Sequence, residues 1–271
     1  MYLLIGAIIS IILTIPSYWW FSFDKISPWY SFILIPICIT YFVIYINIYW
    51  VYLLIHIHKY KGKQFVGKVS AYNLSHVRSL SSFMVLLQGL FIKHKGFKDI
   101  NKEPGLILFN HVSDYDAWVL YKLIRGRYAL VGKKALLSIP GIGSLSSSIG
   151  TLYASDVKEE NMLMVDFAVK YISEKQTSVV IAPEGTRNFT GEIRPFKHGG
   201  FNIALRCKCP ITLVAFTNMQ EATKKKRKKF IKINVEVFDK IMPEEYENMS
   251  AGELAELCER KYKKFLGQYE E

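Results

Sequence analysis

His111 and Asp116 are the pair in this chain best suited to moving a proton. They lie in the stretch Asn110-His111-Val112-Ser113-Asp114-Tyr115-Asp116. A carboxylate that holds an imidazole fixes its tautomer and stabilises the imidazolium, leaving the other ring nitrogen free to take a proton from a hydroxyl near neutral pH. On a continuous helix residues 111 and 116 would stand about 140° apart, so the two side chains meet only if the chain turns between them. The flanking sequence supplies such a turn. Leu106-Ile107-Leu108-Phe109, bounded by Pro104-Gly105, reads as a buried strand, and the spacing of Leu120, Leu123 and Ile124 reads as a helix. Two other readings use the same residues. Ser113-x-x-Asp116 is also a capping box that would leave His111 an ordinary loop histidine, and His111, Asp114 and Asp116 would suit a metal-dependent hydrolase.

A second polar turn follows a second apolar run. Ser178-Val179-Val180-Ile181-Ala182-Pro183 leads into Glu184-Gly185-Thr186-Arg187, and the ends of strands are where open α/β sheets place ligands. Arg187 offers a planar fork that fits a phosphomonoester, Gly185 allows close backbone approach, and Thr186 adds a hydroxyl. Lys133 or Lys134, and Lys197, are candidates to complete the anion site.

With both turns in place, the chain resembles the glycerolipid acyltransferase family, specifically the 1-acyl-sn-glycerol-3-phosphate acyltransferases. Four blocks in fixed order carry the likeness. The first is complete at Asn110, His111, Ser113 and Asp116, and the third at Glu184 to Arg187. The second falls at Gly150 to Asp156, with Asp156 where the family usually has Arg. The fourth falls at Cys209 to Val214, without its second proline. The likeness runs from about Gly96 to Phe216. It implies acyl transfer from a thioester, acyl-CoA or acyl carrier protein, to the sn-2 hydroxyl of lysophosphatidic acid, giving phosphatidic acid. It implies no cofactor beyond that donor and no metal. His111 would be the base, Asp116 its orienting partner, and Gly185, Thr186, Arg187, Lys133 and Lys197 the acceptor's phosphate site. Glu184 would anchor Arg187 or bond the glycerol.

The rest of the chain has to bring such a site to a lipid. Of 271 residues 51% are hydrophobic, and the net charge is +12 with a pI near 9.4. So basic a chain points to an anionic partner. Apolar spans accompany the charge and no nucleic-acid motif does, which favours lipid over nucleic acid.

No charged residue occurs from Tyr2 to Phe23, nor from Trp29 to Ile55. Each run is long enough for a membrane helix. Trp19, Trp20, Trp29, Tyr30, Trp50 and Tyr52 lie at the ends, as interfacial aromatics do. The first run lacks the basic start and small-residue cleavage site of a signal peptide. His56, His58, Lys59, Lys61, Lys63 and Lys68 follow the second run, which predicts a cytoplasmic location for what comes after. Cys38, Cys207, Cys209 and Cys258 are scattered and read as reduced thiols.

The expected fold is α/β, a mixed sheet flanked by helices of the glycerolipid acyltransferase type, with an N-terminal membrane-inserted helical hairpin. Residues 1–60 would form the membrane helices and 61–271 the catalytic domain. Strands are expected at Leu106 to Phe109, Tyr128 to Val131, Gly150 to Tyr153, Val179 to Ala182, Ile211 to Phe216 and Ile231 to Phe238. Helices are expected near Ala117 to Arg125, Lys134 to Leu137, Lys158 to Lys175, Phe201 to Cys207 and Ala251 to Gly267, the last with a capping box at Ser250-x-x-Glu253. Val69 to Lys95 reads as one amphipathic helix, set against the bilayer or the core. Lys224 to Lys229 is a run of cations suited to a solvated loop beside anionic headgroups, each worth about 1 kcal/mol near such a surface.

Overall fold

The computed structural model describes residues 2–20, 32–64, 69–174, 176–224 and 230–268. The loop Asp24 to Ser27, Trp29, Tyr30, Lys68 and most of the basic run (Lys225 to Lys229) lie outside the described residues, as do the side chains of Trp19 and Trp20. The chain divides into two units, Met1–Lys59 and Tyr60–Glu271.

The first unit is a pair of packed helices, α1 (Tyr2–Trp20) and α2 (Leu34–His58). They approach closely at Gly6, where a Cβ would collide with the ring of Tyr45. Apolar side chains such as Leu4, Ile12, Ile39, Ile48 and Ile55 point outward, which is stable only where water is absent or the surface is covered. The polar side chains turn inward onto their own helix: Ser10 donates to the Gly6 carbonyl, Thr14 to Ser10, Thr40 to Pro36 and Asn47 to Val43. Among the described residues α2 alone is long and apolar enough to cross a membrane by length and composition, and Leu4–Pro16 forms a shorter apolar helix.

The second unit is a seven-stranded mixed sheet in the order β1-β7-β6-β2-β5-β3-β4. Its strands are β1 (Leu90–Lys95), β2 (Leu106–Phe109), β3 (Tyr128–Lys133), β4 (Leu152–Ala154), β5 (Ser178–Ile181), β6 (Ile211–Thr217) and β7 (Ile231–Ile241). From β6 to β4 the neighbours are parallel, and only β6 and β7 pair antiparallel. All four residues of β2 are buried, as a parallel strand covered on both faces requires. The covering helices are α3 (Ala71–Leu87), α4 (Asp116–Leu123), α5 (Ile142–Ser148), α6 (Lys158–Ser173), α7 (Asn202–Cys207) and α8 (Ala251–Phe265). The capping box at Ser250 and Glu253 is formed.

Three expectations need correction. The stretch Val69 to Lys95 is not one helix. It is α3, capped at its start by Ser70, whose hydroxyl accepts from the Asn73 N–H, followed by a turn at Gly89 (φ +62) into β1. Glycine takes that left-handed conformation without strain. The buried side chains Leu74, Val77 and Val85 place the inner face of α3 in the core. The segment Lys134 to Leu137 is a 3-10 turn (Lys134–Ser138), and α5 follows it with no apolar periodicity to mark it. The strand expected from Gly150 starts at Leu152, because Gly150 has a φ of +76 and serves as the bend before it.

Parallel order decides where the polar turns fall. Strands β2, β5 and β3 are neighbours pointing the same way, so their carboxyl ends share one edge of the sheet. His111 follows β2, Glu184 follows β5, and Lys133 ends β3.

Candidate active site

His111 Nδ1 lies 2.9 Å from Asp116 Oδ2. The same carboxylate, fully buried, also accepts from the backbone N–H of Val112 (2.7 Å) and Ser113 (2.9 Å) and from the Ser113 hydroxyl (2.9 Å). The carboxylate thus serves the imidazole and the turn at once, but the capping box expected at Ser113-x-x-Asp116 is not formed: α4 starts after Tyr115 with no side-chain cap, and the Ser113 hydroxyl donates to Asp116 and accepts from the Tyr115 N–H. With a carboxylate at Nδ1, that nitrogen carries the proton and Nε2 is the basic one. Nε2 has no protein partner among the described residues. The ring packs edge-on to Phe109 with centroids 5.7 Å apart.

The turn at 184–187 is bolted to this one. Glu184, buried at 4% exposure, accepts the His111 N–H at 3.0 Å with one oxygen and the Arg194 N–H at 3.3 Å with the other. The His111 carbonyl in turn accepts from the Asn188 N–H at 2.7 Å. Asn110 clamps the neighbouring strand, donating to the Phe216 carbonyl (3.1 Å) and accepting its N–H (2.7 Å). Burial pushes the Glu184 carboxyl above the ordinary range, opposed in part by its backbone donors at His111 and Arg194. Both Glu184 oxygens are thus committed to the backbone and not to Arg187, because only acceptors can satisfy two buried N–H groups.

Arg187 pairs with Asp114 and lies over the ring of Phe189 at 5.4 Å. Thr186 accepts from Arg194 at 3.3 Å. Neither Thr186 nor Arg187 lines the cleft that His111 opens into. That cleft has a volume of about 1220 Å³ and is walled by His111, Lys133, Gly185 and Lys197, with α6 and α7 on its far side. Lys197 lies across Gly185, whose φ of +69 and missing Cβ permit the contact. Lys134 and Arg206 also reach the cleft, but Glu160 (2.5 Å) and Asp166 (2.7 Å) pair with them. Lys133, Lys158 and Lys197 form no ion pair among the described residues. Asp156 is on the wall as well. No group of three His, Cys, Asp or Glu side chains among the described residues is arranged to hold a metal.

The segments that carry this imidazole and the cleft around it also match a known family in sequence. The model of the Acyltransferase family matches residues 78–217. The chain belongs to the Acyltransferase family.

Members with known names are similar over much of this span. The 1-acyl-sn-glycerol-3-phosphate acyltransferase of Saccharomyces cerevisiae is 27% identical over 156 residues, 56% of this chain and 52% of that protein. Its Haemophilus influenzae namesake is 27% identical over 189 residues, 68% of this chain and 78% of that one. The alpha form from Homo sapiens is 24% identical over 160 residues, 58% and 56% of the two chains. The match thus spans about half the length of the yeast and human relatives. The crystal structure of the 1-acyl-sn-glycerophosphate (LPA) acyltransferase PlsC from Thermotoga maritima has the same fold, with a TM-score of 0.59 at 17% identity over 73% of this chain and 80% of that one.

Within this acyltransferase-family site, sequence reasoning named Asn110 only as part of the first block and passed over Asn188, which ties the two turns together; its place beside the third block was the signal. Asn161, Asn202 and Arg206 on α6 and α7 carry no local motif, and only the folded cleft brings them to the site.

Proposed function

We propose that this chain is a membrane-bound acyltransferase that moves a fatty acyl group from a thioester donor to the sn-2 hydroxyl of lysophosphatidic acid, giving phosphatidic acid. The observation that carries the proposal is the His111–Asp116 pair, with its basic Nε2 on the wall of a cleft that also holds Lys133 and Lys197. His111 Nε2 removes the hydroxyl proton as the oxygen attacks the thioester carbonyl. The tetrahedral adduct then collapses, the carbon–sulfur bond breaks, and the proton on His111 leaves with the thiol. No acyl-enzyme is needed, since the acceptor is itself the nucleophile. Asp116 keeps the ring in the required tautomer and steadies the imidazolium. Lys133 and Lys197 on the cleft wall receive the acceptor's phosphate beside Gly185, and Arg187, outside the cleft with Thr186, is recruited to it from its pair with Asp114. The donor is acyl-CoA or acyl carrier protein, both acidic and suited to the basic surface, and no further cofactor takes part. Helix α2 keeps the chain at the bilayer, with the second unit on the cytoplasmic side as the cations after residue 55 imply.

A second acceptor has an observation in its favour. Asp156 places a carboxylate on the cleft wall while Asp114 holds Arg187 outside it, an arrangement that also suits a lysophospholipid with an amine-bearing headgroup.

Thiol release by purified protein in detergent separates these readings. Lysophosphatidic acid, glycerol 3-phosphate, lysophosphatidylethanolamine and lysophosphatidylcholine are compared with each donor. Turnover that prefers lysophosphatidic acid and vanishes in His111→Ala is expected. Wild-type thiol release by His111→Ala would remove the mechanism.

A further inference from the structure

The side of the sheet farthest from the cleft strands exposes four large apolar side chains, near one another along the chain or across β1 and β7, that the acyl-transfer site does not use. Leu86 and Leu87, at the end of α3, are 72% and 60% exposed. Phe91 on β1 and Phe230, just before β7, are 56% and 60% exposed. The turn between α3 and β1 brings these together: the Gly89 carbonyl accepts the Ile231 N–H at 3.0 Å, and the rings of Phe91 and Phe230 meet edge to face at 5.6 Å. Four large apolar side chains this open to water at one corner of a folded unit mark a contact surface.

The charges around them identify what is contacted. In the parallel register of β1 and β7, Phe91 stands beside Lys232 and Lys93 beside Asn234. Alternation along a strand then places Phe91, Lys93 and Lys232 on one face of the sheet. Lys93 and Lys232 form no ion pair among the described residues, whereas Lys95, next along the face, is paired with Glu236. Apolar side chains flanked by two lysines without an ion pair are unlike the centre of a protein interface, from which lysine is depleted. They fit a plane of anionic headgroups, with the rings and leucines below the phosphates and the ammonium groups level with them.

We infer that Leu86, Leu87, Phe91 and Phe230, flanked by Lys93 and Lys232, form a second lipid contact in the catalytic unit, one that inserts shallowly into an anionic bilayer surface. This contact uses residues of the second unit alone and holds whether or not the chain transfers acyl groups.

The test is photocrosslinking of the full chain in vesicles, with p-benzoylphenylalanine in place of Phe91. In vesicles of phosphatidylcholine and phosphatidylglycerol, irradiation is expected to give a lipid adduct at position 91. Without phosphatidylglycerol the yield should fall at least about five-fold, as it should in the variant that also carries Lys93→Gln and Lys232→Gln. The same probe in place of Leu163, which is exposed on α6, serves as the reference and should yield at least about five-fold less lipid adduct. A chain-to-chain adduct at 91 would identify a second copy as the occupant and overturn the inference. Equal yields at 91 and 163, or a yield indifferent to the two lysines, would overturn it as well. Because the readout is a lipid adduct and not turnover, its failure leaves the acyl-transfer proposal standing, and the reverse also holds.

Discussion

The two polar turns at the edge of the sheet are built differently. The turn at 110–116 is closed: Asp116 has no exposed side chain and takes four hydrogen bonds, one of them from the imidazole. The turn at 184–187 is closed only at its first residue. Glu184 is buried against two backbone N–H groups, while Arg187, 42% exposed at its side chain, is paired with an Asp114 that is more open still. A proton-transfer group must be aimed within a few tenths of an ångström before substrate arrives, and buried donors aim it. A headgroup clamp can exchange partners, since an exposed ion pair is worth little, about 0–1 kcal/mol. The structure thus holds the imidazole in place and leaves the guanidinium able to exchange partners.

The largest consequence of that difference falls on His111. His111→Ala should lower thiol release by about 10²- to 10⁴-fold. The melting temperature should hardly move, because Asp116 keeps its other three donors. A collapse in stability equal to the loss of activity would mean that the imidazole is part of the scaffold.

Glu184→Gln sharpens the comparison from the other side. It swaps one acceptor for an NH₂ group facing a buried backbone N–H, at a cost of about 1–3 kcal/mol, or about 2–4 °C in Tm for each kcal/mol. Activity should drop with it, since His111 loses its backbone tether. The pH dependence has a definite sign. Burial raises the folded-state pKa of Glu184 above the ordinary carboxyl value of 4.5. Well below 4.5 the group is protonated in both states and its ionisation costs the folded state nothing. As pH climbs from there through the raised value, the unfolded chain releases the proton first and the folded state loses stability; above that value the loss is constant. The wild type should therefore lose stability relative to Glu184→Gln across this acid window, as followed by denaturant melts at several pH values. A difference that grows in the wild type's favour with rising pH would contradict the burial.

Legibility in the sequence followed the same division. The closed turn was readable because its residues are local: His111, Ser113 and Asp116 bond one another within five positions, and β2 and β5 are short apolar runs ended by polar turns. Glu184's partners are distant in sequence, so its role as a tie between turns could not be read from Glu-Gly-Thr-Arg alone. The break between α3 and β1 was hidden because Leu87, Leu90 and Phe91 continue a spacing that suits a helix, and Gly89 was the one sign of a bend. Strand β1 exists because β7 lies beside it, and nothing near residue 90 announces a partner beginning at residue 231. The wall formed by α6 and α7 likewise arises from packing, not from any motif.

The smaller effects belong to the open turn. Arg187→Ala should raise KM for lysophosphatidic acid about 10-fold, as expected for losing a charge-assisted contact of about 1.5 kcal/mol, and leave kcat nearly unchanged. Asp114→Asn then decides what the ion pair does. If Asp114 occupies the guanidinium until a phosphate displaces it, removing its charge spares the acceptor that competition. KM should then fall by up to about five-fold, the full value of an exposed pair, and the decrease should shrink in high salt. If Asp114 instead holds Arg187 in its working position, KM rises in Asp114→Asn and approaches that of Arg187→Ala. Because Asp114 is 73% exposed and Arg187 already has the Phe189 ring beneath it, the guanidinium keeps one support when the carboxylate goes, so the fall in KM is the expected outcome.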